Sequence, residues 1–214
     1  MTPLVLAHRG ACWDAPENTL AAFELAVEQG VDYVEFDVRA RNGELVICHD
    51  PSPPPDVPTL GEIVAALKGR VGLAVEIKEP ATTNAVLDAL ERHAIEAEAL
   101  LVLSFRLRAL ETVRRRRPDL RCVLHLGRRP DPAAATRFWG VGFRDATARP
   151  RVLAQARSFG LATFVFTVNE PARMRELASL GVDGIFSDRP GFLRETLAAV
   201  REPGRARSRP GTSR

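Results

Sequence analysis

The chain alternates short apolar runs with longer segments in which apolar residues recur at helical spacing. Several runs, such as Leu101-Val102-Leu103, lack polar alternation, which is typical of strands buried on both faces of a parallel sheet. The apolar runs predict strands at residues 4–7, 33–38, 45–49, 73–77, 100–104, 121–126, 141–143, 163–168 and 184–187.

The segments between these strands predict helices. Gly30, Gly160 and Gly181 suit C-terminal helix caps, and Pro171 and Pro190 suit helix starts. The predicted helices span residues 19–29, 60–67, 82–93, 107–115, 133–138, 151–159, 172–180 and 192–200. Repeated strand–helix units of this number and length predict an α/β fold, a TIM-type (β/α)₈ barrel, with a doubly wound open sheet as the alternative.

One hairpin interrupts the strand–helix alternation. The dipeptide Asn42-Gly43 separates the second and third predicted strands and suits a tight type I′ turn. We therefore expect these two strands to run antiparallel. This pairing brings His49 to the same end of the sheet as the carboxylates of Glu35 and Asp37.

Composition and charge indicate one ordinary globular domain. The 214 residues are 45% apolar and 27% charged, with a net charge of +3. Residues 201–214 contain five Arg and one Glu, so the remainder of the chain carries a net charge of −1. We expect a single barrel domain at residues 1–202, a disordered basic tail at residues 203–214, and no nucleic-acid-binding surface on the barrel.

The sequence favours a cytoplasmic protein without stable membrane insertion. No apolar run approaches the roughly 20 residues that span a bilayer, and the first residues do not resemble a secretory signal. The three cysteines, Cys12, Cys48 and Cys122, form no disulfide or zinc-binding pattern. The sequence does not indicate an oligomeric state.

Two charged pairs at strand ends are candidates for binding chemistry. Glu35 and Asp37 are two residues apart, as are Glu76 and Lys78, so each pair shares one face of its strand. Clustered buried carboxylates need a cation, and oxygen ligands favour Mg²⁺ or Ca²⁺. Lys78 is one of only two lysines in a chain with 28 arginines. A contact with a phosphate oxygen would explain why lysine stands at this position. The alternative for Glu35 and Asp37 is a pair of solvated acids on an exposed edge strand. The alternative for Glu76 and Lys78 is a simple ion pair.

Two histidines follow apolar strands at the same predicted rim. Because histidine can donate or accept a proton, one of His8 and His49 could deprotonate a nucleophile while the other protonates a leaving alkoxide. Arg9 carries a guanidinium that matches phosphate geometry, although it could also close the barrel end as a salt bridge. His125 also ends a predicted strand, but nothing in the sequence pairs it with a role.

Short motifs stand in order at the ends of successive strands. They are His8-Arg9-Gly10, Pro16-Glu17-Asn18-Thr19, Glu35-Phe36-Asp37, His49-Asp50-Pro51, Pro58-Thr59-Leu60-Gly61-Glu62, Glu76-Ile77-Lys78, Ser104-Phe105, Phe166-Thr167-Val168-Asn169 and the segment 184–190. As an ordered set they resemble the glycerophosphodiester phosphodiesterase family over about residues 4 to 200.

This resemblance implies a barrel with its site at the C-terminal rim. It implies hydrolysis of a small-molecule phosphodiester to sn-glycerol 3-phosphate and an alcohol. The implied roles are one divalent cation (Mg²⁺ or Ca²⁺) held by Glu35, Asp37 and Glu76, proton transfer by His8 and His49, and phosphate binding by Arg9 and Lys78.

The chain departs from the family pattern in two places. Family members carry a sizeable insertion between the His-Asp-Pro and Pro-Thr-Leu motifs, whereas here only residues 52–57 separate them. A more open site is expected, which makes lysophospholipase D activity the alternative function. Phe166 stands where the family has tryptophan. A non-catalytic barrel that binds phosphate ligands is the alternative from another functional class.

Overall fold

The computed structural model describes residues 2–201. Met1 and residues 202–214 lie outside the described residues, and the tail predicted at 203–214 lies there too. The strands are β1 (Leu4–Ala7), β2 (Tyr33–Arg41), β3 (Glu44–Ile47), β4 (Gly72–Ile77), β5 (Leu100–Ser104), β6 (Arg121–His125), β7 (Gly140–Arg144), β8 (Ala162–Phe166) and β9 (Gly184–Ser187).

Eight of these strands form a closed parallel barrel. The order runs β1-β9-β8-β7-β6-β5-β4-β2, and β2 pairs with β1 to close the ring. The predicted TIM-type barrel is confirmed, and the open-sheet alternative is wrong. Strand β3 lies outside the ring, antiparallel to β2, with Arg41 opposite Glu44. Asn42 and Gly43 both have positive φ, at 50° and 85°, as the predicted tight turn requires.

Seven α-helices follow the predicted pattern to within a few residues. They are α1 (Leu20–Glu28), α2 (Leu60–Leu67), α3 (Thr83–Arg92), α4 (Leu107–Arg116), α5 (Pro150–Ser158), α6 (Pro171–Ser179) and α7 (Pro190–Arg201). Within residues 2–201, no helix combines the length and the apolar character needed to cross a membrane.

The helix predicted at residues 133–138 is wrong. This segment forms only a four-residue 3₁₀ helix, Pro132–Ala135, between β6 and β7. Of the predicted helix only Ala135 and Phe138 are buried, so the segment gains too little tertiary packing to sustain several helical turns.

The barrel interior changes from apolar to polar along the strands. One apolar cluster includes Tyr33 on β2, Ala74 on β4 and Val123 on β6. Two positions farther along, each strand presents a residue on the same face, and these residues are Glu35, Glu76 and His125. Because side chains on one face of a strand recur every two residues, three polar side chains follow the apolar ones at the C-terminal end of the barrel.

Candidate active site

A cavity of about 320 Å³ opens at the C-terminal end of the barrel. The structure brings all seven predicted site residues together there. Six of them line the cavity: His8, Arg9, Glu35, His49, Glu76 and Lys78. The seventh, Asp37, is buried beside them and contacts both Arg9 and Lys78.

Three carboxylates form a compact buried cluster. Glu35, Asp37 and Glu76 each offer an oxygen within 4.8 Å of the other two, because β2 pairs with β4 so that Asp37 is opposite Glu76. The three residues are 2%, 1% and 7% exposed. Burial, followed by the charges of Asp37 and Glu76, raises the pKa of Glu35 well above its usual range.

Lys78 holds two members of this cluster together. Its ammonium group donates to Glu76 Oε1 at 2.7 Å and to Asp37 Oδ1 at 3.0 Å. Burial opposes ionisation of Glu76, but His125 and Lys78 lower its pKa to about 2. Glu35 accepts instead from the backbone N–H of Arg9, at 2.9 Å.

The backbone at the end of β1 aims Arg9 at the cluster. Arg9 has a φ of 57° and Gly10 a φ of 85°, so the chain turns sharply there. The Arg9 guanidinium binds the exposed Glu17 at 2.8 Å, and its Nε lies 3.2 Å from Asp37 Oδ2. Together with Glu17, the site contains four carboxylates and two basic side chains, Arg9 and Lys78. The two unbalanced negative charges match the charge of one divalent ion.

Asn18 fixes the position of Asp37. Its amide nitrogen donates to Asp37 Oδ2 at 3.0 Å, and its oxygen accepts the Asp37 backbone N–H at 3.3 Å. Asn18 is buried and has a φ of 58°, whereas Thr19 caps helix α1. Asn18 therefore serves the site, and its neighbour Thr19 caps the helix.

His8 is oriented by residues to which the sequence assigned no role. Its Nδ1 lies 2.7 Å from Asp188 Oδ1, and Asn169 donates to the other Asp188 oxygen at 2.7 Å. Burial opposes the charge on Asp188, but bonds from His8 and Asn169 lower its pKa to about 2. An ionised Asp188 fixes the proton on Nδ1 and leaves the His8 Nε2 for the cavity. Asp188 and Asn169 stand within the quoted motifs, and their motif membership was the only available signal.

Cys12 shares the Asp188 carboxylate with His8. Its thiol donates to Asp188 Oδ1 at 3.2 Å. Burial, and then the hydrogen bond to Asp188, raises the pKa of Cys12 far above its usual range. The thiol therefore stays protonated and acts as a hydrogen-bond donor.

His49 lies closer to solvent than His8. It follows β3, lines the cavity, and has a side chain that is 40% exposed against 20% for His8. Its Nδ1 is 3.2 Å from Asp50 Oδ1. The two histidines thus differ in access to water and in the strength of their carboxylate contacts.

Aromatic and basic residues complete the opposite wall. Phe105, Phe166 and His125 line the cavity, and the Arg144 guanidinium lies 5.5 Å from the centre of the Phe105 ring. Phe166, which stands where the family has tryptophan, forms part of this wall. No sequence pattern marked Arg144, which ends strand β7.

The chain resembles known proteins over nearly its whole described length. The family model for the glycerophosphoryl diester phosphodiesterase family matches residues 8–54 and 54–192. A probable glycerophosphodiester phosphodiesterase 1 from Mycobacterium tuberculosis is 30% identical, covering 99% of this chain and 96% of the relative. A glycerophosphodiester phosphodiesterase from Caldanaerobacter subterraneus is 26% identical, covering 90% and 97% of the two chains.

Solved structures agree with these sequence relationships. A phosphodiesterase from Oleispira antarctica, in complex with the product sn-glycerol-3-phosphate, superposes with a TM-score of 0.83 at 25% identity, covering 92% of this chain and 97% of that one. A glycerophosphodiester phosphodiesterase from Agrobacterium tumefaciens gives a TM-score of 0.75 at 27% identity, covering 91% and 100%. The chain therefore belongs to the glycerophosphoryl diester phosphodiesterase family, a family of phosphoric diester hydrolases.

Proposed function

We propose that this protein hydrolyses glycerophosphodiesters to sn-glycerol 3-phosphate and an alcohol. The observation that carries the proposal is the convergence, in one cavity, of His8, His49 and the buried carboxylates with two basic side chains. The sn-glycerol-3-phosphate bound to the Oleispira antarctica relative supports the same substrate class.

The carboxylate cluster fits one divalent cation. Glu35, Asp37 and Glu76 would hold it, because hard oxygen ligands suit Mg²⁺ or Ca²⁺ and Glu35 lacks a side-chain hydrogen bond from a cation among the described residues. When bound, such an ion acts as a Lewis acid that offsets negative charge on the phosphoryl oxygens. Arg9 and Lys78, at the edge of the cluster, would contact the phosphate.

The two histidines divide the proton transfers. With its Nδ1 hydrogen bonded to Asp188, His8 offers an unprotonated Nε2 and acts as the base for the attacking hydroxyl or water. His49, which is nearer to solvent, protonates the leaving alkoxide. Each transfer contributes about 10²–10⁴-fold to the rate.

Turnover assays test this function. The full-length protein is incubated with glycerophosphocholine and Mg²⁺ or Ca²⁺, and phosphorus NMR is used to identify sn-glycerol 3-phosphate. His8→Ala and His49→Ala should each lower kcat by about 10²-fold or more. A diester with a p-nitrophenol leaving group should restore the rate of His49→Ala but not that of His8→Ala, because nitrophenolate needs no proton to depart. Wild-type rates in both variants would refute the roles of the two histidines, and no turnover of any diester by the wild type would favour the non-catalytic barrel.

The missing insertion favours a second candidate, lysophospholipase D activity. The family match divides at residue 54, inside the short loop after His49. The alignment with the M. tuberculosis relative runs over 274 positions, more than the 214 residues of this chain, so the relative carries segments that this chain lacks. Comparing kcat/KM for lysophosphatidylcholine and glycerophosphocholine separates the candidates, since only the open site would favour the lipid.

A further inference from the structure

His125 is a buried imidazole without a hydrogen-bonding partner. Its side chain is 4% exposed and lines the cavity at the end of β6. Neither ring nitrogen forms a hydrogen bond within residues 2–201. The nearest charge, Glu76 Oε2, lies 3.7 Å from Nδ1, which is within ion-pair distance but too long for a hydrogen bond. Buried polar groups are nearly always satisfied, so an unsatisfied one facing a cavity indicates a bound ligand or water.

Three aromatic rings hold this imidazole in place. Phe166 stacks on it with centroids 4.4 Å apart, while Phe105 and Phe186 meet it edge-on at 5.2 Å and 5.8 Å. Across from the ring lies Gly142, where a Cβ atom would overlap the imidazole. The neighbouring strand therefore leaves the space that His125 occupies, and the three rings pack around the imidazole.

These walls match a small polyol. Aromatic faces pack against C–H groups, and the imidazole offers two ring nitrogens that can hydrogen bond hydroxyls. The basic and acidic groups on the other side of the cavity recognise features that every phosphodiester shares. Among the cavity-lining residues described, the buried side-chain atoms without a hydrogen bond are Arg9 Nε, which faces Asp37 at 3.2 Å, and the two ring nitrogens of His125. His125 is therefore the group left to recognise a neutral hydroxyl.

We propose that His125 determines specificity for the glycerol moiety by hydrogen bonding one of its hydroxyls between the aromatic rings. The inference rests on the proposed function, because it assigns the buried side of the cavity to the glycerol of the substrate. His125 acts in binding and orientation, and it transfers no proton in the reaction.

A pair of product analogues tests the assignment without turnover. Isothermal titration calorimetry in Mg²⁺ buffer measures the affinity of the full-length protein for sn-glycerol 3-phosphate and for n-propyl phosphate, which lacks both hydroxyls. The wild type should prefer the glycerol ligand. His125→Phe, which keeps the ring stacking, should reduce that preference about tenfold. Its affinity for propyl phosphate should be unchanged.

Further variants keep the test decisive. His125→Leu replaces His125→Phe if the latter does not fold, as judged by circular dichroism. His125→Gln, which places an amide near the position of Nε2, should recover part of the preference. His93→Phe, at a residue that does not line the cavity, should leave it unchanged. A preference that survives both apolar variants, or is absent in the wild type, overturns the assignment.

The outcomes also separate this inference from the proposed function. Turnover of glycerophosphocholine with an unchanged glycerol preference in His125→Phe refutes the role of His125 alone. Selective binding of sn-glycerol 3-phosphate that depends on His125, without turnover of any diester, supports the role of His125 and refutes the hydrolase function.

Discussion

His8 and Asp188 are 180 positions apart in the chain, yet His8 Nδ1 lies 2.7 Å from Asp188 Oδ1. The contact exists because β1 and β9 are neighbours in the closed barrel, with Ala7 opposite Ser187. Both residues follow directly after these paired positions. Ring closure therefore joins a candidate base to the carboxylate that sets its tautomer.

We expect Asp188→Asn to lower kcat by about 10²-fold or more while the fold is retained. The amide can no longer stabilise a protonated His8, and it can hold the ring in the wrong tautomer. Steady-state rates with glycerophosphocholine measure the effect. Asp119→Asn, which removes a surface carboxylate paired with Arg117, is the matched control. A normal kcat for Asp188→Asn would exclude the orienting role.

Asp188 should also contribute to stability against acid. Its pKa is lowered from 3.8 to about 2, so its ionised form stabilises the folded state above pH 3.8. This contribution is lost as the pH falls from about 4 to about 2. Urea unfolding of wild type and Asp188→Asn at a series of pH values should show the steeper acid loss in the wild type. Parallel curves would contradict this linkage.

The carboxylate cluster could be predicted from the sequence because it depends on the two-residue period of a strand and on the pairing of neighbouring strands. Glu35 and Asp37 share one strand face, and the parallel pairing of β2 with β4 brings Glu76 opposite Asp37. The motif set supplied the identity of the family. The fold itself followed from repeated strand–helix units, whose apolar runs have few alternative arrangements.

The residues that orient His8 were harder to predict. Asp188 and Asn169 lie near opposite ends of the helical unit containing α6, and no local pattern indicates that Asp188 contacts His8 or that Asn169 contacts Asp188. His125 gave no signal because its neighbours come from different strands. The helix expected at residues 133–138 failed because its alanines favour a helix locally, whereas little of it is buried.

Divalent ions should stabilise the wild-type protein through Glu35. Thermal unfolding with Mg²⁺, Ca²⁺ or EDTA should show a higher Tm with the preferred ion, and chelation should abolish turnover. Glu35→Gln should remove both the metal-dependent shift and the activity. Glu44→Gln, an exposed glutamate on the adjoining hairpin, should behave as the wild type. Metal-dependent turnover in Glu35→Gln would refute the ligand assignment.

Without metal, the same substitution should change the pH dependence of stability. The pKa of Glu35 is raised by burial and by the charges of Asp37 and Glu76, so the folded state holds its proton more tightly than the unfolded state. The metal-free wild type therefore loses stability as the pH rises above 4.5, the ordinary value for glutamate. Glu35→Gln should lack this decline in EDTA, as measured by urea unfolding.

Gly10 should tolerate alanine much less well than Gly160, although both have positive φ, at 85° and 74°. A Cβ at Gly160 meets open space, so Gly160→Ala costs only the left-handed backbone penalty of about 1–2 kcal/mol. A Cβ at Gly10 would lie 2.7 Å from the backbone carbon of Ala22 in helix α1, which cannot yield without moving the helix.

Gly10→Ala should therefore lose more unfolding free energy than Gly160→Ala and also lower kcat. The added methyl group pushes on the segment whose turn directs the Arg9 N–H to Glu35 and positions His8 beside Asp188. Urea unfolding and glycerophosphocholine turnover of the two variants measure both effects. Equal losses of stability with equal rates would mean that the close packing of Gly10 on helix α1 has no part in holding the site.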